Sequence, residues 1–149
     1  MFPNMLPTEQ VACLGDIAPV SQGVGSVTTG WVPMSNVNAL LAIISTGVLG
    51  TAATVDAKLQ QAQDSSGTGA KDITNKAITQ IVKATGDNKT AFINLRADEL
   101  DVNNSFDYVQ LSITVGAAAS LVHGIVLGCM PRNFPASALN DADVVQIVS

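Results

Sequence analysis

The sequence has few charged and few aromatic residues, and both shortages exclude classes of function. Charged residues make up 13% of the 149 residues, about half the share of an average soluble domain. The seven lysines and arginines are scattered singly and the net charge is −5, so the basic clusters that bind nucleic acid are missing. A single tryptophan and a single tyrosine leave little material for stacking sugars or bases. Because hydrophobic residues nevertheless reach 47%, we expect part of the surface to face other protein subunits.

The sequence also lacks a long apolar run and a secretion signal. The apolar run Ala39–Ile44 is far too short to cross a bilayer, so we expect no membrane association. The segment Met1–Met5 carries no basic charge ahead of an apolar stretch, which indicates synthesis in a cytoplasm without export. A reducing compartment disfavours a disulfide, so Cys13 and Cys129 are predicted to be free, half-buried thiols.

No arrangement of side chains in the sequence indicates catalysis or a bound cofactor. His123 lies in an apolar segment without a nucleophile or an orienting carboxylate nearby, so we interpret it as a packed or interface histidine. Asp98, Glu99 and Asp101 could serve glycoside hydrolysis or hold calcium, but they match no calcium loop and are interpreted as a solvated loop. The segment Gly67–Lys71 resembles a phosphate loop only superficially, because aspartate follows the lysine. The expectation is a protein that is not an enzyme and holds no cofactor or metal.

Alternating apolar and polar side chains predict an all-β fold. Every second residue of Tyr108–Val115 is apolar, and Thr54–Gln63 alternates ahead of a Ser/Gly-rich turn, which predicts a strand that enters a hairpin. The segment Asn38–Thr46 has few polar interruptions and predicts a central strand buried on both faces, with a short helix as the alternative. Seven or so strands separated by turn residues predict an antiparallel β-sandwich of the jelly-roll type.

Three segments are expected along the chain. Residues 1–30 hold three of the six prolines and show no sustained period, which predicts an extended N-terminal arm that lies on its own sandwich or on a neighbouring subunit. Residues 31–135 are predicted to form the β-sandwich domain, with Trp31 as a plug between arm and body. Residues 136–149 form a C-terminal tail whose β-branched run, Asp143–Val148, is expected to pair at an edge of its own sheet or of a neighbour's. Removing the arm is expected to leave the sandwich folded.

The central part of the sequence resembles a pattern that recurs in small structural proteins of tailed bacteriophages and prophages. The pattern is carried by Thr54–Gly67, then by Lys71-Asp72-Ile73, then by Ala77–Ile81. In it, a strand of the form V-D-A-K-L-Q-Q-A-x-D leads through a Ser/Gly turn to x-D-I-x-x-K-A-I-T-Q. The resemblance extends over roughly residues 31–130. It implies a capsid-associated protein, of the kinds called minor capsid, decoration or head-stabilisation proteins.

The resemblance implies a non-enzymatic function on the virion. Such a protein binds the major capsid protein on the capsid surface, after synthesis in the cytoplasm of the host bacterium, and stabilises the shell by contacting several subunits at once. A homo-oligomer is expected, as a trimer in preference to a dimer. Two alternatives remain open, namely a tail or head-tail assembly component and a carbohydrate-binding surface module of the virion. The residues expected at the contacts are Phe2, Leu6, Val11, Trp31, Val144, Val145 and Ile147.

Overall fold

The computed structural model describes residues 2–149, which form two antiparallel β-sheets packed face to face. The strands are β1 (Val11–Gln22), β2 (Gly25–Thr28), β3 (Val32–Pro33), β4 (Val37–Thr46), β5 (Thr54–Ala62), β6 (Lys71–Ala77), β7 (Ile81–Val82), β8 (Thr90–Arg96), β9 (Tyr108–Gly116) and β10 (Ser120–Pro131). The helical turns are α1 (Pro7–Gln10), α2 (Lys83–Gly86) and the 3-10 turns Ala97–Glu99, Val102–Asn104 and Ala136–Leu139. No helix within residues 2–149 is long and apolar enough to cross a membrane.

The strand pairs are nested, so that the first strand of the chain pairs with the last and the inner pairs follow in order. β1 pairs with β10, β2 and β3 with β9, β4 with β8, and β5 with β6. The resulting orders are β1-β10-β4-β8 in the first sheet and β2-β9-β5-β6 in the second, where β7 also pairs with β5. This nesting of two Greek keys is the jelly-roll topology. The predicted antiparallel sandwich of the jelly-roll type is therefore confirmed.

The alternation read from the sequence sets which side chains enter the core. In β5, Val55 and Leu59 are buried between the sheets, whereas Asp56 faces solvent, so the predicted half-buried strand and its hairpin to β6 are confirmed. Gly124 of β10 allows the two sheets to approach closely, since a Cβ there would lie 2.8 Å from Leu111 of the second sheet. The largest fully buried side chains are Met34, Leu40, Ile44, Leu59, Leu95, Leu111 and Ile113.

The prediction that residues 38–46 are buried on both faces is wrong for one of the two faces. The segment forms the interior strand β4, with no helix, and its inward side chains Leu40 and Ile44 are fully buried. The alternate side chains, Leu41 and Ile43, are only half-buried because no further sheet or helix of the described residues 2–149 packs over them. The apolar run therefore predicted a strand correctly, but it predicted more burial of the outward side chains than the structure shows.

The predicted arm over residues 1–30 differs from the structure, because most of it belongs to the sheets. β1 lies in the first sheet and β2 in the second, and Ala12 and Ile17 are buried in the core. Two register shifts in β1, between Cys13 and Gly15 and between Ile17 and Val20, interrupt its alternation. These irregularities explain why the sequence shows no sustained period there. The sequence left open whether residues 1–30 lie on their own sandwich or on a neighbouring subunit. In the structure most of them belong to the chain's own sandwich.

Trp31 and the tail also differ from their predicted places. Trp31 packs on the turn between β5 and β6, not between an arm and the body, and a Cβ at Gly67 would lie 2.6 Å from its Nε1. The tail contains no strand, and a backbone hydrogen bond of 2.8 Å from the Asp141 N–H to the Cys13 carbonyl ties it to β1. The run 143–148 therefore pairs with no sheet edge within the described residues 2–149, and its pairing with a sheet of a neighbouring subunit stays a prediction.

Deleting residues 1–25 should unfold the protein, contrary to the expectation from the sequence. The deletion removes β1, takes Ala12 and Ile17 out of the core and exposes the edge of β10. We expect the loss of cooperative thermal unfolding, measured by circular dichroism. Deletion of residues 144–149 removes no strand and is the control, which should melt within a few degrees of the intact chain. A cooperative transition after the N-terminal deletion would contradict the structure.

Replacing Gly67 with alanine should destabilise the hairpin turn. Gly67 has a φ of +84° and faces the indole of Trp31, so the new methyl group meets both backbone strain and a steric conflict. We expect a loss of about 1–3 kcal/mol in the free energy of unfolding, measured by urea denaturation. Gly23→Ala is the matched control, because nothing lies within 4 Å of a Cβ at that position. Equal stabilities of the two variants would refute the contact with Trp31.

Candidate interaction surface

The outer face of the second sheet is polar, and its side chains bond to one another. The Gln110 amide donates to Gln60 Oε1 at 3.0 Å, and the Gln60 amide donates in turn to Asp72 at 2.8 Å. Lys58 completes the row with an ion pair to Asp72 at 2.8 Å. Because these groups already satisfy each other or face water, this face needs no partner.

The outer face of the first sheet is mostly apolar. The strand register places Leu127 beside Leu41 and Ile125 beside Ile43, while Phe92 at the β8 edge is 63% exposed. The apolar side chains of this surface, which we call the apolar face, are Val11, Cys13, Ala39, Leu41, Ile43, Phe92, Ile125, Leu127 and Cys129. Exposed, contiguous apolar surface of this kind marks an interaction site.

A groove of about 340 Å³ opens at one end of the apolar face, and we call it the terminal groove. Phe2 and Phe134 form one wall, with their ring centroids 5.7 Å apart in a T-shaped arrangement. Met130, which is 57% exposed, forms another wall, and its carbonyl accepts a hydrogen bond of 2.9 Å from the Asn38 amide. The lining residues are Phe2, Gln10, Asn38, Met130, Pro131 and Phe134.

Both arginines of the chain lie beside the terminal groove. A neighbouring depression shares Asn38 and Met130 with the groove, and Arg96 and Arg132 line it. Arg96 pairs with Asp98 at 3.2 Å in an exposed position. Arg132 makes no ion pair with any residue in the range 2–149. The rim of the groove is therefore locally positive on a protein whose net charge is −5.

The C-terminal tail begins at the free edge of β1. The Cys13 N–H donates to Asn140 Oδ1 at 2.9 Å, and the Asp141 N–H donates to the Cys13 carbonyl at 2.8 Å. A turn follows, closed by a hydrogen bond of 3.1 Å from the Val144 N–H to the Asp141 carbonyl. Beyond it the tail carries apolar side chains into solvent, and Val145 is 92% exposed. The tail is thus anchored at its start and exposed at its end.

The turn of the tail brings like charges together. The pKa of Asp16 on β1 is raised by burial and next by the charge and hydrogen bonding of Asp143, with a smaller contribution from Asp141. His123 on β10 opposes the shift. The carboxyl groups of β1 and of the tail therefore repel each other wherever both are ionised.

The contact residues predicted from the sequence fall in three places. Phe2 lies in the terminal groove, and Val11 lies with Val144 and Ile147 in a second groove of about 410 Å³ on the β1 side. Val145 projects into solvent beside that groove. Two predicted residues lie apart from both grooves: Leu6, which precedes α1 and is exposed, and Trp31, which packs on the β5–β6 turn.

Of the residues that form the terminal groove and its rim, the sequence predicted only Phe2. The missed residues are Gln10, Asn38, Arg96, Met130, Pro131, Arg132 and Phe134. The last four lie together at the end of the predicted domain, residues 31–135. The available signal is Phe134, a phenylalanine outside every apolar run and followed by a proline. Its partner Phe2 lies at the other end of the sequence, so spacing alone does not connect them.

The titratable groups suit structural roles. The pKa values of Asp101 and Glu99 lie below their ordinary range, mainly because Lys71 donates to Asp101 and because the Arg96 N–H and Lys76 donate to Glu99. Both cysteines are free and half-buried, as predicted, and burial raises the pKa of each thiol, which leaves little reactive thiolate. Within residues 2–149, no group of three His, Cys, Asp or Glu side chains is placed to hold a metal ion.

No protein-family model and no curated protein matches the sequence. Among solved structures, one of Broad Bean Stain Virus is similar over 90% of this chain and 92% of that chain, with 12% identity and a TM-score of 0.49. A structure of Triatoma Virus is similar over 90% of this chain and 70% of that chain, with 7% identity and a TM-score of 0.48. A CBM4 structure matches with 15% identity and a TM-score of 0.45 over 72% of this chain, which spans 61% of that chain. At these identities and TM-scores the likeness concerns the architecture of the sandwich alone.

Proposed function

We propose that this protein is a non-enzymatic structural component of a phage virion, which binds the major capsid protein and stabilises the capsid. The observation that carries the proposal is the apolar face, which the terminal groove borders. Within residues 2–149 the chain adjoins this face only on its β1 side, where the tail lines a groove with Val11, Cys13 and Leu127. Its opposite, the polar face of the second sheet, is suited to water. A protein with one face of each kind is built to lie on another protein.

The composition of the surface around the terminal groove supports a protein partner. Aromatic residues, methionine and arginine are enriched at the centres of protein interfaces, and Phe2, Phe134, Met130 and Arg132 supply all three kinds. Among residues 2–149, Tyr108 supplies the only aromatic ring on the polar face of the second sheet, which gives a sugar ring little to stack on. A protein surface is therefore favoured over a carbohydrate.

Stabilisation of a shell follows from contacts with several subunits at once. A protein that binds only the assembled shell shifts the equilibrium away from the opened state, and linked contacts raise the effective concentration of each further contact. The resemblance of residues 31–130 to phage capsid-associated proteins supports this placement. A homo-oligomer of the protein, as a trimer in preference to a dimer, would multiply the contacts.

A charged residue in the apolar face should release the protein from particles. Phe92→Glu places a carboxylate in the apolar face, and because Phe92 is already 63% exposed the fold should be retained. We expect low occupancy of the variant on capsids, measured by quantitative gel analysis of purified particles, and release of DNA at a lower temperature. Val48→Glu is the matched control, since Val48 is exposed in the loop after β4, away from the terminal groove, and should bind as the unmodified protein does.

Two results would overturn the proposal. Full occupancy of the Phe92→Glu variant would show that the apolar face makes no contact with the particle. Cryo-EM density for the protein at the tail, or at the junction of head and tail, would replace capsid binding with the assembly alternative.

A further inference from the structure

We propose that the C-terminal tail of one copy occupies the terminal groove of a second copy, so that the protein assembles head to tail. The occupant is the segment 142–148 of this same chain, which combines Asp143 with exposed β-branched side chains. The inference deepens the proposed function, because it names the contact that would build the expected homo-oligomer. It concerns self-association alone and is tested without particles.

The exposed end of the tail is the first observation in favour. Val145 and Val148 are 92% and 85% exposed, although both are apolar and β-branched. Burial of such side chains against apolar surface is favourable, so a site that covers them gains free energy. An exposed segment of this kind is also an aggregation hazard unless a specific site receives it.

Charge complementarity selects the terminal groove as the receiving site. The segment from residue 133 onward contains no lysine or arginine, whereas it carries Asp141 and Asp143. The groove has apolar walls for the valines, and Arg132 at its rim makes no ion pair with any of the residues 2–149. An acidic, apolar segment thus meets an apolar groove with a positive rim, which favours both docking and correct register.

The tail's position on its own subunit is electrostatically unfavourable. Asp143 lies beside Asp16 of β1, with Asp141 on the tail nearby and only His123 of β10 to offset them. At neutral pH the carboxylates repel each other, so moving Asp143 toward Arg132 of another copy relieves a repulsion and gains an attraction. Two terms therefore favour docking of the tail on another copy: the repulsion at Asp16 that is relieved and the attraction to Arg132 that is gained.

The geometry directs the tail away from the terminal groove of its own subunit. Pro7 and Thr8 line the groove that holds the tail, whereas Gln10 lines the terminal groove, and the two grooves share no residue. The helical turn α1 therefore lies between them. Beyond its anchor at Asp141 the segment 142–148 spans about 23 Å when extended, which is enough to bridge to an adjacent copy. Because donor and acceptor surfaces differ, a single contact is heterologous. Closed assembly is then either a dimer with two reciprocal tail exchanges or a ring with one exchange per pair of copies, of which the expected trimer is the smallest.

Two complementary variants test the exchange. The first variant, deletion of residues 144–149, keeps the groove and removes the tail. The second variant, Met130→Asp with Arg132→Glu, keeps the tail and makes the groove and its rim acidic. Both substituted positions are exposed, and aspartate tolerates the φ of 52° at residue 130. Each variant alone should be monomeric by sedimentation velocity, with the apparent dissociation constant raised at least about tenfold. An equimolar mixture should form a one-to-one dimer and nothing larger, because one tail fills one groove and the chain of contacts then ends.

The control variant combines Val48→Asp with Lys89→Glu, which makes the same kinds of change at positions away from the groove, and it should assemble as the unmodified protein does. Circular dichroism of every variant establishes that the fold is retained. Unaltered assembly after the tail deletion, or no dimer in the mixture, would overturn the exchange. So would an unmodified protein that is monomeric at about 1 mM. None of these results would bear on the binding of the protein to capsids, which the Phe92→Glu experiment measures separately.

The repulsion at Asp16 predicts a dependence on pH. Because the pKa of Asp16 is raised in the folded protein, the tail's own-subunit position is most stable in acid, and its stability falls as the pH rises through the carboxyl range. Asp16→Asn removes the repulsion and should weaken self-association about two- to fivefold at pH 7. In acid, below the raised pKa of Asp16, its carboxyl group carries no charge in the unmodified protein, so the difference should vanish. Stronger association of the variant at pH 7, measured by sedimentation equilibrium, would refute the role of Asp16.

Discussion

The pairing of β1 with β10 is the constraint on which the rest of the structure depends. It joins the two ends of the chain, with Val11 opposite Cys129, and encloses every other strand pair within it. The same pairing brings Gln10 and Phe2 against the segment that follows β10, and so forms the terminal groove. It also presents Cys13 at the free edge, where the tail is anchored. The fold and the proposed interaction surfaces thus have one origin.

The parts of the fold that the sequence predicted are those in which local pattern and tertiary environment agree. β5 and β9 alternate over most of their length, and each strand buries its apolar side chains in the core. β1 defeated prediction because two bulges shift its register, so inward and outward positions no longer alternate along the sequence. β4 shows a different limit, since Leu41 and Ile43 are as apolar as buried residues yet lie on an uncovered face. The hydrophobicity of a side chain indicates that its burial is favourable, but it does not indicate whether the same chain or another molecule buries it.

The candidate site was only partly predictable, for a reason of connectivity. The terminal groove joins Phe2, Asn38 and the segment 130–134, which the sequence separates widely and only the nested strand pairing brings together. Phe2 and the apolar residues of the tail were identified because terminal apolar residues stand out by themselves. Arg132 was not, because its distinguishing property is the lack of an ion-pair partner within the described part of the chain, and that is a property of the fold.

The treatment of the sheet edges limits how this protein can associate. At the β8 edge, Lys76 donates to the Asn94 carbonyl at 2.8 Å and also forms an ion pair with Glu99. At the β1 edge, the tail bonds to both the N–H and the carbonyl of Cys13. A lysine or a covering segment at an edge opposes the addition of a further strand. Both edges of the first sheet are thus occupied at one point each, and its outer face is mostly apolar, so association by side chains is favoured over strand addition. At the β1 edge, residues 140 and 141 already take the backbone groups of Cys13, which are therefore closed to a further strand.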